Sequence, residues 1–290
     1  MAELGTPESR RDVSISLGHI AGIEQARGDL DGALARYEEA LEIDLTLMAE
    51  LGTPQSRSDV SVSLYQVAVI EQALGNLDGA LTRYEEGLEI ARAIMAELGT
   101  PESRRDLIIS LHNVAVIEQA RGNLDGALTC YVEALEIDRA LMAELETPQS
   151  RRDVSFSLER IAGIARKRGD LDGALAHFEE GLEITRQLSE ELGTSAPLDL
   201  FNSLVWEAQL CAGIEISLAR AEAALVRLES FVDQASILES APDANTLDTA
   251  AAYWECRADA LKALGRSTEA AESRSRALAI RARIAEMDSD

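Results

Sequence analysis

The sequence is poor in cysteine and in positive charge. Its three cysteines, Cys130, Cys211 and Cys256, are odd in number and far apart, so they fit neither a disulfide framework nor a metal-binding pattern. Lysine and arginine total 27 against 52 aspartate and glutamate residues, which gives a formal net charge of −25. Because such a surface repels phosphate backbones, the composition disfavours nucleic acid as a ligand.

Long apolar runs are also missing. No stretch approaches the roughly 18 apolar residues that cross a bilayer, and the N-terminal residues lack the basic and apolar regions of a signal peptide. We therefore expect a cytoplasmic protein with no membrane partner. The acidic residues fall in short runs such as Glu38-Glu39, which are more typical of a solvated helix face than of a site for a basic partner.

Residue patterns for catalysis or metal binding are absent as well. His19, His112 and His177 have no Cys, Asp or Glu at metal-ligand spacing, and no HExxH or CxxC pattern occurs. The glycines of RGDLDG and GNLDG lack the GxxxxGKS/T spacing of a phosphate loop, and recurring serines have no histidine that recurs beside them. The sequence thus predicts a protein that is not an enzyme, with no catalytic residue, cofactor or metal.

What the sequence does contain is a repeat. Residues 2–48 return with small changes at 49–95, 96–142 and 143–189, a period of 47 residues. Residues 190–290 carry a divergent fifth copy and then a recovered unit with the polar ending expected of a C-terminal cap. Self-similarity at such a spacing is typical of a solenoid, in which neighbouring units stack to close one continuous core.

Each repeat reads as two helices. Thr6-Pro7 marks a helix start, and Leu17, Ile20 and Ala21 form an apolar stripe on the helix that follows. Asp29 can cap a second helix that extends to Leu51, where Gly52 supplies a left-handed end. The predicted apolar face of this second helix comprises Leu30, Ala33, Leu34, Tyr37, Leu41 and Leu45.

These residues resemble the tetratricopeptide repeat family. The small and aromatic signature positions of the family match Gly28, Ala33, Tyr37 and Ala40, and they match again in each of the next three copies. The closing proline of the family is replaced by Leu45, Arg92, Arg139 and Arg186, which lets the second helix continue and makes the unit similar to the long repeats of kinesin light chains. The resemblance implies an all-α solenoid of about six antiparallel helix pairs in a right-handed superhelix.

In that family the first helices line a concave groove that usually holds a peptide or protein segment. Two first-helix columns, 18/65/112/159 and 19/66/113/160, hold four different residues each, and they lie opposite the apolar stripe. We therefore predict a binding groove formed by Tyr65, Gln66, Val69, Ile109, His112, Asn113, Val116, Phe156, Glu159, Arg160 and Arg166. The alternative is that these columns vary because they are exposed, and that the apolar ones pack between repeats.

The predicted function is a non-catalytic scaffold that binds a protein or peptide segment. Arg160 and Arg166 make the fourth repeat locally basic, which suits an acidic or carboxylate-ended segment. Met1 to Thr6 copy Met48 to Thr53, so the array opens in mid-repeat without a visible cap. Two alternatives follow: a structural array that self-associates through this first repeat, or the interaction part of a larger regulatory protein.

Overall fold

A computed structural model describes residues 5–192 and 244–287, together with residues 225, 226, 229, 235, 236 and 239. The two long segments form ten helices and contain no strand, which confirms the all-α solenoid of consecutive helix pairs. The helices are α1 (Pro7–Ala26), α2 (Leu30–Leu51), α3 (Pro54–Ala73), α4 (Leu77–Leu98), α5 (Pro101–Ala120), α6 (Leu124–Leu145), α7 (Pro148–Lys167), α8 (Leu171–Leu192), α9 (Ala244–Ala263) and α10 (Ser267–Met287).

The helix ends follow from local sequence. Thr6 Oγ1 accepts a hydrogen bond from the Ser9 backbone N–H at 3.2 Å, and Asp29 Oδ1 accepts one from the Gly32 N–H at 3.0 Å. These caps satisfy N–H groups that have no partner inside the helix, so α1 and α2 begin where the sequence predicts. Gly52 ends α2 with φ of +58°. Glu146 takes the same left-handed position after α6, with φ of +49° and no glycine.

The chain divides into two compact units, Met1–Leu141 and Met142–Asp290. In the first unit, α2 packs against both α1 and α3, and α4 packs against both α3 and α5. One continuous core cluster includes Ala21 of α1, Tyr37 of α2 and Ile70 of α3. Three successive helices, α2, α3 and α4, therefore each bury one face on the preceding helix and another on the following helix, as in a solenoid.

In the second unit, α7 packs against α8 around Phe178, and α9 packs against α10 around Trp254. Arg281 of α10 is part-buried and forms ion pairs with Asp248 and Glu255 of α9. The divergent fifth repeat predicted after residue 190 falls largely outside the described residues. No described helix is long and apolar enough to cross a membrane.

Two residues of the predicted apolar stripes are exposed. Leu45 leaves 42% of its surface accessible and Ile20 46%, whereas Leu47 of α2 is buried at 3%. The Ile20 prediction is wrong for a reason outside α1 itself. Its counterparts in the next two repeats, Val67 and Val114, are buried, because α2 packs against α3 and α4 packs against α5 on the side of the first helix that α1 leaves open.

Candidate peptide-binding groove

The first unit contains a cavity between the first helices of repeats two and three. We call it the Tyr65 cavity. It encloses about 250 Å³ between α3 and α5 and has residues of α4 as its floor. Its walls are largely apolar and exposed: Tyr65 is 46% and Ile109 56% accessible, with Val62 beside them. Its other lining residues include Asn113 on α5 and the α4 residues Tyr84, Gly87, Ala91 and Ile94.

A second cavity occupies the equivalent place one repeat earlier. We call it the Asp44 cavity. It encloses about 270 Å³ between α1 and α3, with Ile15, Gly18, Val62 and Gln66 among its lining residues and Asp44 of α2 contributing from below. Arg11 of α1 and Asp59 of α3 also line it and bind each other, Nε to Oδ2 at 2.9 Å.

Substitutions at repeat-equivalent positions explain why the two cavities differ. Gly18 stands where Tyr65 stands in the next repeat, so one aromatic wall is missing from the Asp44 cavity. Ala91 stands where Asp44 stands, so the Tyr65 cavity has no buried carboxylate on its floor. The helix framework thus repeats while the character of the cavity changes from apolar to acidic.

Asp44 is only 3% exposed, so its carboxylate is a buried ionisable group in the first unit. Its Oδ2 accepts hydrogen bonds from Ser63 Oγ at 2.6 Å and from Ser14 Oγ at 2.8 Å. Burial raises the pKa of Asp44 above its usual value of 3.8, and it outweighs the two serine hydrogen bonds, which lower it. In the neighbouring cavity, burial and the nearby Tyr65 raise the pKa of Tyr84 to about 12, so its hydroxyl stays neutral.

We expect the substitution Asp44→Asn to stabilise the protein at neutral pH. A carboxyl group whose folded-state pKa is raised favours folding at a pH below its unfolded-state pKa, and this contribution is lost as the pH rises through the folded-state value. Asparagine carries no charge to desolvate, so the variant gains about 1 kcal/mol in unfolding free energy near pH 7, the lower end of the desolvation penalty of a buried group.

The measurement is urea unfolding of both proteins between about pH 7 and about pH 3. Arg11 and Asp59, the charged groups nearest to Asp44, are present in both proteins, so the comparison isolates the carboxyl group of residue 44. The difference in stability shrinks as the solution is acidified through the titration of Asp44. A difference that stays constant over this range would contradict the raised pKa.

The structure brings four of the predicted groove residues to these cavities. Tyr65, Ile109 and Asn113 line the Tyr65 cavity, and Gln66 lines the Asp44 cavity. Three others of the first unit line neither cavity. The His112 ring packs edge-on against Tyr131 with 5.4 Å between centroids, Val69 is half-buried, and Val116 is 41% exposed.

The remaining predicted residues belong to the second unit. The Arg160 guanidinium lies 4.5 Å from the centroid of the Phe156 ring, which is 42% exposed. Glu159 and Arg166 are half-buried on the same helix, α7. A segment-binding role for these four residues stays a prediction.

Sequence reasoning missed the floor of both cavities. It considered only first-helix columns, whereas Asp44, Gly87 and Ala91 come from second helices. A signal was present, because the column Asp44, Ala91, Asp138 and Thr185 changes from repeat to repeat as the first-helix columns do. In the fourth repeat Thr185 Oγ1 bonds to the Gly181 carbonyl at 3.0 Å, so that position holds a neutral, satisfied group.

Comparison with known proteins agrees with this architecture. A family model described as tetratricopeptide repeat matches residues 107–142 and 157–191. No curated protein matches the chain at a significant level. Many solved structures do, and their low sequence identity limits the likeness to the fold.

Three of these structures illustrate the likeness. BtubC (BKLC) from P. vanneervenii has a TM-score of 0.61 at 20% identity, over 88% of this chain and 92% of that one. The apo form of RapI has a TM-score of 0.56 at 14% identity, over 94% and 99%. Aspartyl phosphate phosphatase F from Bacillus subtilis has a TM-score of 0.51 at 13% identity, over 94% of this chain and 60% of that one.

The repeat spacing, the cap geometry, the stacked helix pairs and the family match all agree. Residues 107–142 and 157–191 of this chain match the tetratricopeptide repeat family.

Proposed function

We propose that this protein is a non-catalytic scaffold whose first unit holds a segment of another protein across the Tyr65 and Asp44 cavities. One observation carries the proposal. Tyr65 and Ile109 leave about half of their surfaces exposed, and both belong to the walls of one cavity rather than being scattered. Concave apolar surface with a few polar groups is typical of ligand sites.

Each part of the Tyr65 cavity suits a different part of a bound segment. Val62, Tyr65 and Ile109 offer apolar walls to a side chain, and Ala91 and Gly87 leave room beneath it. The Asn113 amide can both donate and accept hydrogen bonds, which suits the backbone of an extended segment. Recognition would then rest on shape and on polar contacts, without any chemical step.

The test is the substitution Tyr65→Ala, with Asn113→Ala as a second variant. Peptides are first selected from a random displayed library on the wild-type chain, and their affinities are then measured by calorimetry. We expect Tyr65→Ala to weaken binding by about 30-fold, which is the effect of losing a 2 kcal/mol hot spot. Asn113→Ala should weaken it by about 10-fold, the effect of one hydrogen bond.

The matched control is Leu98→Ala. Leu98 is 47% exposed, as Tyr65 is, but it lies at the end of α4 and does not line the cavity. This variant should bind as the wild type does, and all three variants should unfold at similar urea concentrations. If Tyr65→Ala destabilises the fold instead of weakening binding, the exposed residues serve packing and the proposal is wrong.

For the second unit we propose an acidic or carboxylate-ended segment as the ligand. Arg160 is exposed and is held over the Phe156 ring, where a cation–π contact orients its guanidinium. Arginine in a fixed orientation suits carboxylate recognition.

A second candidate function is self-association of copies end to end. Ile20 and Ile23 of α1 are 46% and 54% exposed, and Leu278 of α10 is 65% exposed. The counterparts of all three are buried together inside the first unit, as Val67, Ile70 and Leu41. Sedimentation over a range of concentrations separates the candidates, because an assembling array grows in mass whereas a binding scaffold does not.

A further inference from the structure

We infer that the Asp44 cavity binds the cationic end of a lysine or arginine side chain, supplied by the segment that the proposed function places in the groove. This inference rests on the proposed function, and it adds a specificity to it. A segment would insert a cationic side chain in the Asp44 cavity and an apolar side chain in the neighbouring Tyr65 cavity.

The first argument is an orphaned carboxylate oxygen. Asp44 Oδ2 holds both serine hydrogen bonds, whereas Oδ1 is buried and has no hydrogen-bond partner among the described residues. Buried polar atoms are nearly always paired, and an exception calls for an explanation. A donor within the cavity would supply the missing hydrogen bond once the Asp44 carboxylate turns toward it, because Oδ1 itself has almost no accessible surface.

The second argument is the charge of the cavity. Two carboxylates, Asp44 and Asp59, line it together with one guanidinium, Arg11. Arg11 binds Asp59 through two contacts, Nη2 to Oδ1 and Nε to Oδ2, both at 2.9 Å. The cation is thereby engaged at Asp59, and the remaining negative charge on Asp44 favours one further positive group.

The third argument is the shape and lining of the cavity. Its volume of about 270 Å³ is large enough for a lysine or arginine side chain rather than a water molecule alone. Ile15 and Val62 provide apolar surface for the methylene stem, and Gly18 adds no side chain to the wall. A long cationic side chain combines an apolar stem with a charged end, which matches this arrangement.

The neighbouring repeat supplies an internal comparison. Ser61 and Ser110 of the Tyr65 cavity stand where Ser14 and Ser63 stand around Asp44, but Ala91 replaces the carboxylate between them. The carboxylate of Asp106 in that cavity belongs to an exposed residue. The Asp44 cavity therefore has a buried carboxylate that the Tyr65 cavity lacks, although Asp138, at the same position of the third repeat, is buried as well.

The test uses the full chain and the same random displayed peptide library. We expect the selected peptides to carry a lysine or arginine at a fixed spacing from an apolar residue. A selected peptide and its counterpart with norleucine in place of the cationic residue are then titrated against the wild type and against Asp44→Asn. The loss of the cation should weaken binding to the wild type by at least about 10-fold, the effect of a hydrogen bond to a charged group.

In Asp44→Asn the two peptides should bind within about twofold of each other, because the group that distinguishes them is gone. Asp44→Ala, which copies the Ala91 floor, should give the same result. A cation effect that persists in both variants would place the cation elsewhere on the acidic surface and overturn the inference.

Failure of this inference differs from failure of the proposed function. If the selected peptides need Tyr65 but share no cationic residue, the cation site at Asp44 is refuted, and a proton or a water molecule satisfies Oδ1 instead. The proposed scaffold function would not be affected by that result. If no peptide is selected, or if binding is indifferent to Tyr65→Ala, both proposals fail.

Discussion

Replacing Ile70 with alanine is expected to lower the unfolding free energy of the first unit by about 3 kcal/mol, within the range for large-to-small substitutions in a core. Ile70 has no accessible surface and packs in a cluster that joins α1, α2 and α3. Alanine removes three carbon atoms from this cluster, and the surrounding helices are held by their own neighbours, so the space closes only in part. Urea unfolding followed by circular dichroism measures the loss.

The repeat provides a matched control for this substitution. Ile23 occupies the same repeat position on α1, but it is 54% exposed. Ile23→Ala should therefore change the stability by no more than about 0.5 kcal/mol. Hydrogen exchange of the α3 amides should accelerate in Ile70→Ala and stay unchanged in Ile23→Ala. An equally large loss in both variants would mean that another molecule covers the exposed side of α1 in solution.

Replacing Trp254 with alanine should have a comparable or larger effect in the second unit, about 4 kcal/mol. Trp254 is 2% exposed, and its ring meets the Tyr253 ring edge-on with 5.0 Å between centroids. The Arg276 guanidinium of α10 lies 4.5 Å from the centroid of the Trp254 ring. The substitution thus removes aromatic packing and a cation–π contact between α9 and α10 at once.

Trp254→Phe is the control, because it keeps most of the packing. Trp254 Nε1 has no hydrogen-bond partner among the described residues, so phenylalanine also removes an unsatisfied donor, and the expected loss is about 1 kcal/mol or less. The buried thiol of Cys256 in the same cluster reports opening of this helix pair, measured by maleimide labelling in a Cys130→Ser, Cys211→Ser background. Equal labelling rates in the wild type and in Trp254→Ala would contradict the prediction.

The residues that line the two cavities were predicted only in part. Tyr65, Ile109 and Asn113 lie in one cavity because they are on facing sides of two first helices, as the 47-residue register indicates. Gln66 lines the Asp44 cavity for the same reason. Asp44 and Ala91 were not predicted because they are on second helices, whose sequence pattern predicts core positions. The position of Asp44 and Ala91 lines a cavity only where the second helix packs between two first helices, and that packing is a property of the tertiary structure.

The sequence by itself determined the described helices, their ends and the resemblance to the tetratricopeptide repeat. Thr6, Asp29 and Gly52 act through hydrogen bonds and backbone angles within a few residues, and such interactions can be read from adjacent positions. The periodic small and aromatic residues determined that the helix pairs stack. Only the tertiary structure decided which members of that pattern are covered. Val67 is buried and Ile20 is exposed at the same repeat position, because burial depends on whether another helix lies against the residue, and no pattern within one helix contains that information.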